Sequence, residues 1–411
     1  MKITNIETIP IFPKLAARYE SEKVRLHGID HRIVYKVETD KGVTGFGDLR
    51  IRPGKAPDPS TVEHLIGQNP FHYLNNTFNG GLGAALYDVM GKYLEVPAYR
   101  LMGAKVRDVA SVAAWTRPAS PEAFSKEIIR ASNDGYRIFK MHSCTYHDVI
   151  EQTKAAEEVA PEGFKIHWDF NSNRSVASML PLVAELERNH PIVGYVEDPI
   201  IKSDIEGWRT IRDQSKIPIV MHVPQLGGLQ EMILGLADVF MIGGSIGDAL
   251  MRGFAYSKAN VQTIMQHGAG ILGKAMALHM CAVLPSATGH AITLDDQYGE
   301  DYVNGNIPVD DGFSPVPEGP GLGFEVDEEA LVRLAANEPN VIPRYVFRLY
   351  LPGGGMYYTP SFPNVPAITG REEGTIRGLR SEQWEEDGSS EFEKAYERVQ
   401  KLGAYPSQDG G

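Results

Sequence analysis

Residues 165–199 read KIHWDFNSNRSVASMLPLVAELERNHPIVGYVEDP. Lys165–Phe170 is short, apolar and β-prone, and so is Val193–Glu197. The residues between them have the length and pattern of a helix, so the segment reads as strand, crossover helix, strand. Each strand ends on a carboxylate, Asp169 and Glu197. Outward from this unit the same rhythm continues in both directions. Ala110–Ala114 and Tyr136–His142 precede it; Ile217–His222, Val239–Ile242, Val261–His267 and Ala291–Leu294 follow it. Eight strands alternating with helices over roughly 200 residues predict a (β/α)8 barrel, with a doubly wound sheet as the alternative.

The first hundred residues form a different pattern, a small α+β unit. Ile3–Ile9 is β-prone, and Ile33–Thr39, the turn Asp40-Lys41-Gly42 and Val43–Gly47 read as a hairpin. Phe12–His31 between them is a long mixed loop, a length that points to either function or disorder. Gly80–Leu94 carries a helical stripe of Leu82, Leu86, Val89, Met90 and Tyr93. The tail from Pro343 to Gly411 holds Pro352-Gly353-Gly354-Gly355 and a charged helical stretch, Ser390–Lys401, and is expected to wrap the surface or another subunit.

The chain has 411 residues, with 40 Lys+Arg against 53 Asp+Glu, a net charge of −13. That balance excludes a general nucleic-acid binder, which needs a basic footprint. It leaves room for a local cationic pocket and a small anionic substrate. Two cysteines, Cys144 and Cys281, are too few for a disulfide framework and indicate a reducing compartment. No apolar run reaches the roughly 18 residues of a membrane span, and Met1-Lys2-Ile3-Thr4 lacks the layout of a signal peptide. A cytoplasmic protein is expected, with no membrane partner.

Barrel chemistry sits where strands end. The second strand ends Lys140-Met141-His142, the third Asp169-Phe170-Asn171, the fourth Glu197-Asp198-Pro199, the fifth His222-Val223-Pro224 and the seventh Gln266-His267-Gly268. A closed barrel directs all of these to one mouth. Asp169 and Glu197 suit a hard cation such as Mg²⁺, with Mn²⁺ as a substitute. Lys140, His142 and His267 suit proton transfer. A metal with a Lys or His base is a known means of removing a proton next to a carboxylate. One motif is a decoy: Gly268-Ala269-Gly270-Ile271-Leu272-Gly273 matches G-x-G-x-x-G, and Asp295 follows at a suitable distance. It falls in the seventh strand–helix unit, where tight packing, or a helix N-terminus holding a substrate anion, is the better reading. His279 and His290 read as structural, and Cys144 as a residue of the mouth.

These residues and their surroundings resemble the enolase superfamily, in its mandelate racemase and muconate-lactonizing branch. The resemblance runs from Met1 to about Leu331. It rests on Val37–Gly47, which looks like the family hairpin, on Ala85–Lys92, on Leu101–Asp108 and on Pro320–Val326. It implies a modified (β/α)7β TIM-type barrel under an N-terminal α+β capping domain. The division that follows is 1–108 for the cap, with a specificity loop at about 12–32; 109–320 for the barrel; 321–342 for the return to the cap; and 343–411 for a C-terminal extension. It also implies Mg²⁺ and a homo-oligomer. Lys140 matches the first lysine of the family's Lys-x-Lys, and His142 replaces the second. Asp169 and Glu197 match the first two metal ligands, and Asn171 a common neighbour. The third carboxylate position falls on Val223, with His222 one residue before it, so His222 is expected to ligate only if a bulge or turn re-aims it. His267 matches the seventh-strand base, and its usual aspartate partner falls on Gly243.

The resulting expectation is a lyase. It would remove the proton α to the carboxylate of a hydroxy-acid, most naturally a sugar acid undergoing dehydration through an enediolate, with racemisation ranked below because the His–Asp pair is broken. His142 or Lys140 would take the proton, and His267 would protonate the leaving hydroxyl. Asn171, Arg174, Arg25 and His27 would contact substrate, with Arg18 and Lys23 as further cations. A non-catalytic acid-binding or structural relative, and imine chemistry at Lys140, are the alternatives.

Overall fold

The computed structural model describes residues 1–21, 29–55, 57–116, 119–143, 147–339, 341, 343–360 and 375–407. In chain order, β1 (Ile3–Ile11), α1 (Arg18–Ser21), β2 (Arg32–Thr39), β3 (Thr44–Arg50) and α2 (Gly80–Leu94) come first. Strands and helices then alternate: β4 (Val109–Thr116), α3 (Pro121–Asn133), β5 (Ile138–His142), α4 (Val149–Glu157), β6 (Lys165–Asp169), α5 (Val176–Asn189), β7 (Val193–Glu197), α6 (Ile205–Gln214), β8 (Ile219–His222), α7 (Leu229–Ile233), β9 (Val239–Gly243), α8 (Ile246–Lys258), β10 (Gln262–Gln266), α9 (Ile271–Val283) and β11 (Ala291–Ile292). After these come β12 (Phe313–Pro315), α10 (Glu328–Ala336), β13 (Tyr345–Tyr350), β14 (Met356–Thr359), β15 (Arg380–Glu385), α11 (Ser390–Leu402) and β16 (Tyr405–Pro406).

One sheet takes β4 to β11 in sequence order, and pairing of β11 with β4 closes it into a TIM-type barrel. β12 adds to it antiparallel, Phe313 opposite Ser111. The doubly wound alternative is thereby excluded. The last barrel strand is shorter than the apolar run Ala291–Leu294 suggested, and β12 is too short to leave a periodic signal. β1, β2 and β3 form the N-terminal antiparallel sheet. Among the described residues, no helix is long and apolar enough to cross a membrane.

The chain divides into two units. The first comprises Met1–Trp115, Asp134–Ile138 and Val239–Asn340. Within it α9 is buried at every position from Ile271 to Val283, as expected of a helix apolar all round. His279 is therefore a core residue, and His290 is buried too.

The second unit comprises Thr116–Asn133, Phe139–Asp238 and Val341–Gly411. Its strands β6 and β7 are flanked by helices with side-chain caps: Ser175 accepts from the Ser178 amide at α5, and Asp204 from Gly207 at α6. The C-terminal segment is more than a wrapping extension. It folds as a four-stranded antiparallel sheet in the order β15-β13-β14-β16. Alternation along β13 serves two clusters: Phe347 and Leu349 pack with Leu379, while Val346 packs with Phe392, Ala395 and Val399 of α11 and with Tyr405. Asp148, the cap of α4, ties this sheet to the barrel helices of the same unit. It accepts from Arg377 Nε at 2.7 Å and from the Gly378 amide at 2.9 Å, while its own amide donates to Leu379 at 3.0 Å.

Candidate active site

Strand register gathers the site in the second unit. Asp169 of β6 lies opposite Glu197 of β7, and Glu197 opposite Val220 of β8. Side chains alternate along a strand, so His222, two residues beyond Val220, faces the same way as both carboxylates. The β7–β8 pairs Val196–Ile219 and Glu197–Val220 show no bulge, so ordinary alternation brings His222 to this face. The left-handed turn comes after it, at Val223 with φ +50°, and leaves the Val223 side chain 62% exposed. The position that the family resemblance gives to a third carboxylate therefore points into solvent.

The buried Lys140 ammonium donates to Asp169 Oδ2 at 2.7 Å and lies 3.3 Å from Glu197 Oε2. Burial alone would push its pKa down, but the two carboxylates override this and hold it above the usual lysine range. His142 Nδ1 stands 3.1 Å from Asp169 Oδ2 and 3.2 Å from Asn171 Oδ1. A carboxylate only accepts, so the tautomer that satisfies Asp169 carries its proton on Nδ1 and leaves the lone pair on Nε2. Burial and Glu197 would raise the Asp169 pKa; Lys140 and His142 hold it below the usual carboxylate range instead. Asp169 Oδ1 also accepts the Asn171 amide at 2.8 Å, which fixes the turn that carries Asn171 at φ +52°.

Glu197 is fully buried. His167 Nε2 lies 2.8 Å from Oε2, and His222 Nδ1 3.3 Å from Oε1. Burial would raise its pKa, but Lys140, His167 and His222 bring it well below the usual range. Among the described residues neither oxygen has a well-formed hydrogen bond; the groups set against them are the Lys140 ammonium and the His167 and His222 imidazoles. Asp198 completes the group: Oδ1 accepts the His222 amide at 3.0 Å, and Oδ2 meets Lys202 at 2.9 Å. Burial, with Glu197 and Asp169 nearby, raises its pKa to about 7. One ligand atom from each of Glu197, Asp198 and His222 lies within 4.8 Å of the others. A buried, ionised Glu197 with no well-formed hydrogen bond among the described residues, in this donor set, fits a divalent cation.

Two members of this group escaped the sequence reading. His167 shares the parity of Asp169, so a His-x-Asp alternation was there to be read. Asp198 was passed over because it follows Glu197 directly; its backbone sits at φ +46°. Arg174, expected to touch substrate, is buried and donates to the carbonyls of Phe170 at 2.8 Å and Ser143 at 2.5 Å, bracing the loops after β6 and β5. Arg25, His27, Lys23 and Cys144 lie outside the described residues. Arg18 donates to the Asp296 carbonyl at 2.7 Å.

His267 belongs to the first unit. It is buried, and Nε2 has no hydrogen-bond partner among the described residues. Burial lowers its pKa, opposed in part by Asp48. Gly243, where the family places an aspartate partner, faces Gln266 in the β9–β10 ladder. A Cβ there would overlap the Gln266 carbonyl oxygen, so only glycine fits. The G-x-G-x-x-G segment holds no substrate anion through these amides: Gly270 donates to Asp48 at 3.1 Å and Ile271 to Asp301 at 3.3 Å. Arg32, wholly buried, pairs with both carboxylates. A Cβ at Gly270 would strike the Arg32 guanidinium. Asp295, which completes the decoy motif in sequence, accepts from Lys274 at 3.0 Å.

The enolase C-terminal domain-like family model matches residues 123–330. The D-galactonate dehydratase of Variovorax paradoxus (strain S110) is 24% identical over 393 residues, covering 83% of this chain and 96% of that one. The enzyme of that name from Ralstonia nicotianae is 25% identical over 357 residues, covering 74% and 91%. Among solved structures, N-succinyl Arg/Lys racemase from Bacillus cereus superposes with a TM-score of 0.68 at 22% identity, covering 82% of this chain and 99% of its own. Muconate lactonizing enzyme from Pseudomonas putida gives 0.66 at 21%, covering 81% and 99%. The family match spans half the chain and the superpositions carry the fold, so this chain belongs to the enolase superfamily, in its mandelate racemase and muconate-lactonizing branch.

Proposed function

We propose that the chain is an acid-sugar dehydratase. The observation that carries this reading is the convergence of Lys140, His142, Asp169 and Glu197 at the strand ends of an enolase-superfamily barrel. The D-galactonate dehydratase relatives add support for the substrate class.

His142 is the base in this proposal. Asp169 orients its ring and stabilises the imidazolium that forms when Nε2 takes the proton from the carbon next to the substrate carboxylate. The hydroxyl on the neighbouring carbon then leaves as water, and the resulting enol becomes a 2-keto-3-deoxy acid. Lys140 stays charged and screens the repulsion between Asp169 and Glu197, so both remain ionised. A divalent ion, held by Glu197, Asp198 and His222 with Asp169 nearby, would supply positive charge to the substrate carboxylate. Asn171 is the remaining substrate contact of the described residues. Protonation of the leaving hydroxyl is assigned to His267, which in this role starts as the imidazolium, its charge offset by the bound substrate anion, and ends neutral as the hydroxyl departs as water. Racemisation ranks lower, because it needs a strong base on each face and Gly243 leaves His267 without its carboxylate. Imine chemistry at Lys140 is set aside, since it requires a neutral amine. A cytoplasmic homo-oligomer is part of the same proposal and is read by light scattering.

The test is a panel of pentonic and hexonic acids, with keto-acid product trapped by semicarbazide. Turnover on at least one acid is expected, falling about 10²–10⁴-fold in His142→Asn with the fold retained. A panel without turnover, or a His142→Asn protein of undiminished rate, overturns the assignment.

A further inference from the structure

We infer that the metal centre of this chain takes a nitrogen ligand, His222 Nδ1, and therefore selects a transition-row divalent ion over Mg²⁺. The inference rests on the reading above only in that a divalent ion binds at Glu197. Three observations carry it. Register brings the His222 imidazole to the face of Glu197, with Nδ1 at 3.3 Å from Oε1. Asp198 secures that placement by accepting the His222 amide, and its carboxylate adds an oxygen donor within the same 4.8 Å group. Val223 offers no donor and turns outward.

The donor set is then oxygen from Glu197 and Asp198 with nitrogen from His222, and Asp169 close by across Lys140. Mg²⁺ demands oxygen and gives up water reluctantly. Imidazole suits the later ions of the first transition row, whose affinity for nitrogen–oxygen sites rises through that row. Replacing one carboxylate by an imidazole also removes one negative charge, which costs a hard cation more than a borderline one. The fully buried Glu197, whose oxygens have no well-formed hydrogen bond among the described residues, is the anchor of the site.

The experiment uses full-length, chelator-stripped protein. Calorimetry with Mg²⁺, Mn²⁺ and Co²⁺ is run on wild type and on His222→Glu, and pulsed electron paramagnetic resonance is run on the Mn²⁺-loaded proteins. Wild type is expected to bind Co²⁺ tightly and Mg²⁺ weakly. In His222→Glu the Co²⁺ over Mg²⁺ preference is expected to fall about tenfold or more. A ¹⁴N coupling to Mn²⁺ is expected in wild type and not in the variant. If the coupling persists in His222→Glu, the nitrogen belongs to His167 and the inference falls. Equal preference in the two proteins, or wild type without nitrogen coupling, also overturns it, and the second needs no variant to fold. Failure of every ion to bind overturns the metal in both readings. Sugar-acid turnover is measured separately, so loss of the dehydratase reading leaves the ligand assignment standing on its own data.

Discussion

Asp148→Ala is the most informative single change for the architecture around the site. The carboxylate has two tasks. Oδ1 caps α4 by accepting the Ile150 amide at 2.9 Å. Oδ2 receives Arg377 and the Gly378 amide from the C-terminal sheet. Loss of a side-chain cap costs about 1 kcal/mol, within a range of about 0.5–2. Loss of the charge-assisted bond from Gly378 costs about 1.5 kcal/mol, and because that residue is exposed, water re-solvates its amide. The Arg377 pair contributes about 0.5 kcal/mol, since its side chain is 53% exposed. The total is about 3 kcal/mol, of which Arg377→Ala should remove only about 0.5–1. Urea denaturation gives both numbers, and amide exchange locates them. Ile150 and Gly378 should both lose protection in Asp148→Ala, whereas Arg377→Ala should spare Ile150. If the two variants cost the same, or if Ile150 keeps its protection without the carboxylate, then Asp148 does not join the sheet to the loop after β5, and the reasoning fails.

Two further outcomes test the interior of the first unit. His279 is fully buried with its pKa lowered to about 4 by desolvation, against an ordinary value near 6.5. The unfolded chain therefore binds a proton that the native one refuses. Stability is whole above about pH 6.5 and falls by up to about 3 kcal/mol as pH drops toward 4; His279→Leu should flatten that slope in melting curves recorded from pH 7 to 4, and an unchanged slope would remove the argument. Gly243→Asp, which restores the family's aspartate in sequence, should destabilise by about 1–3 kcal/mol through its Cβ against the Gln266 carbonyl, without raising turnover; a stable, faster variant would show that the strand tolerates the side chain.

The parts of the barrel that were legible in the sequence are those set by local pattern. Lys165–Asp169 and Val193–Glu197 are short β-prone runs separated by a helix-length stretch, and that pattern survives any choice of register. The placement of His222 was not legible, because it depends on which β8 residue lies opposite Glu197. Counting from the family's third carboxylate put Val223 in the site and His222 outside it; pairing Glu197 with Val220 reverses this, since a slip of one residue exchanges the faces of a strand. The C-terminal sheet was hidden for another reason. Its glycines and prolines read as loop, while its two-sided core draws on Val346, Phe347, Leu379 and Phe392, residues far apart in sequence. The G-x-G-x-x-G segment shows the converse error that local motifs invite. Its central glycine, Gly270, is demanded by Arg32 and Asp301, and its amide is taken by Asp48; Arg32 and Asp48 lie more than two hundred residues upstream. A motif read alone could not reveal that its helix N-terminus already had the protein's own carboxylates as partners.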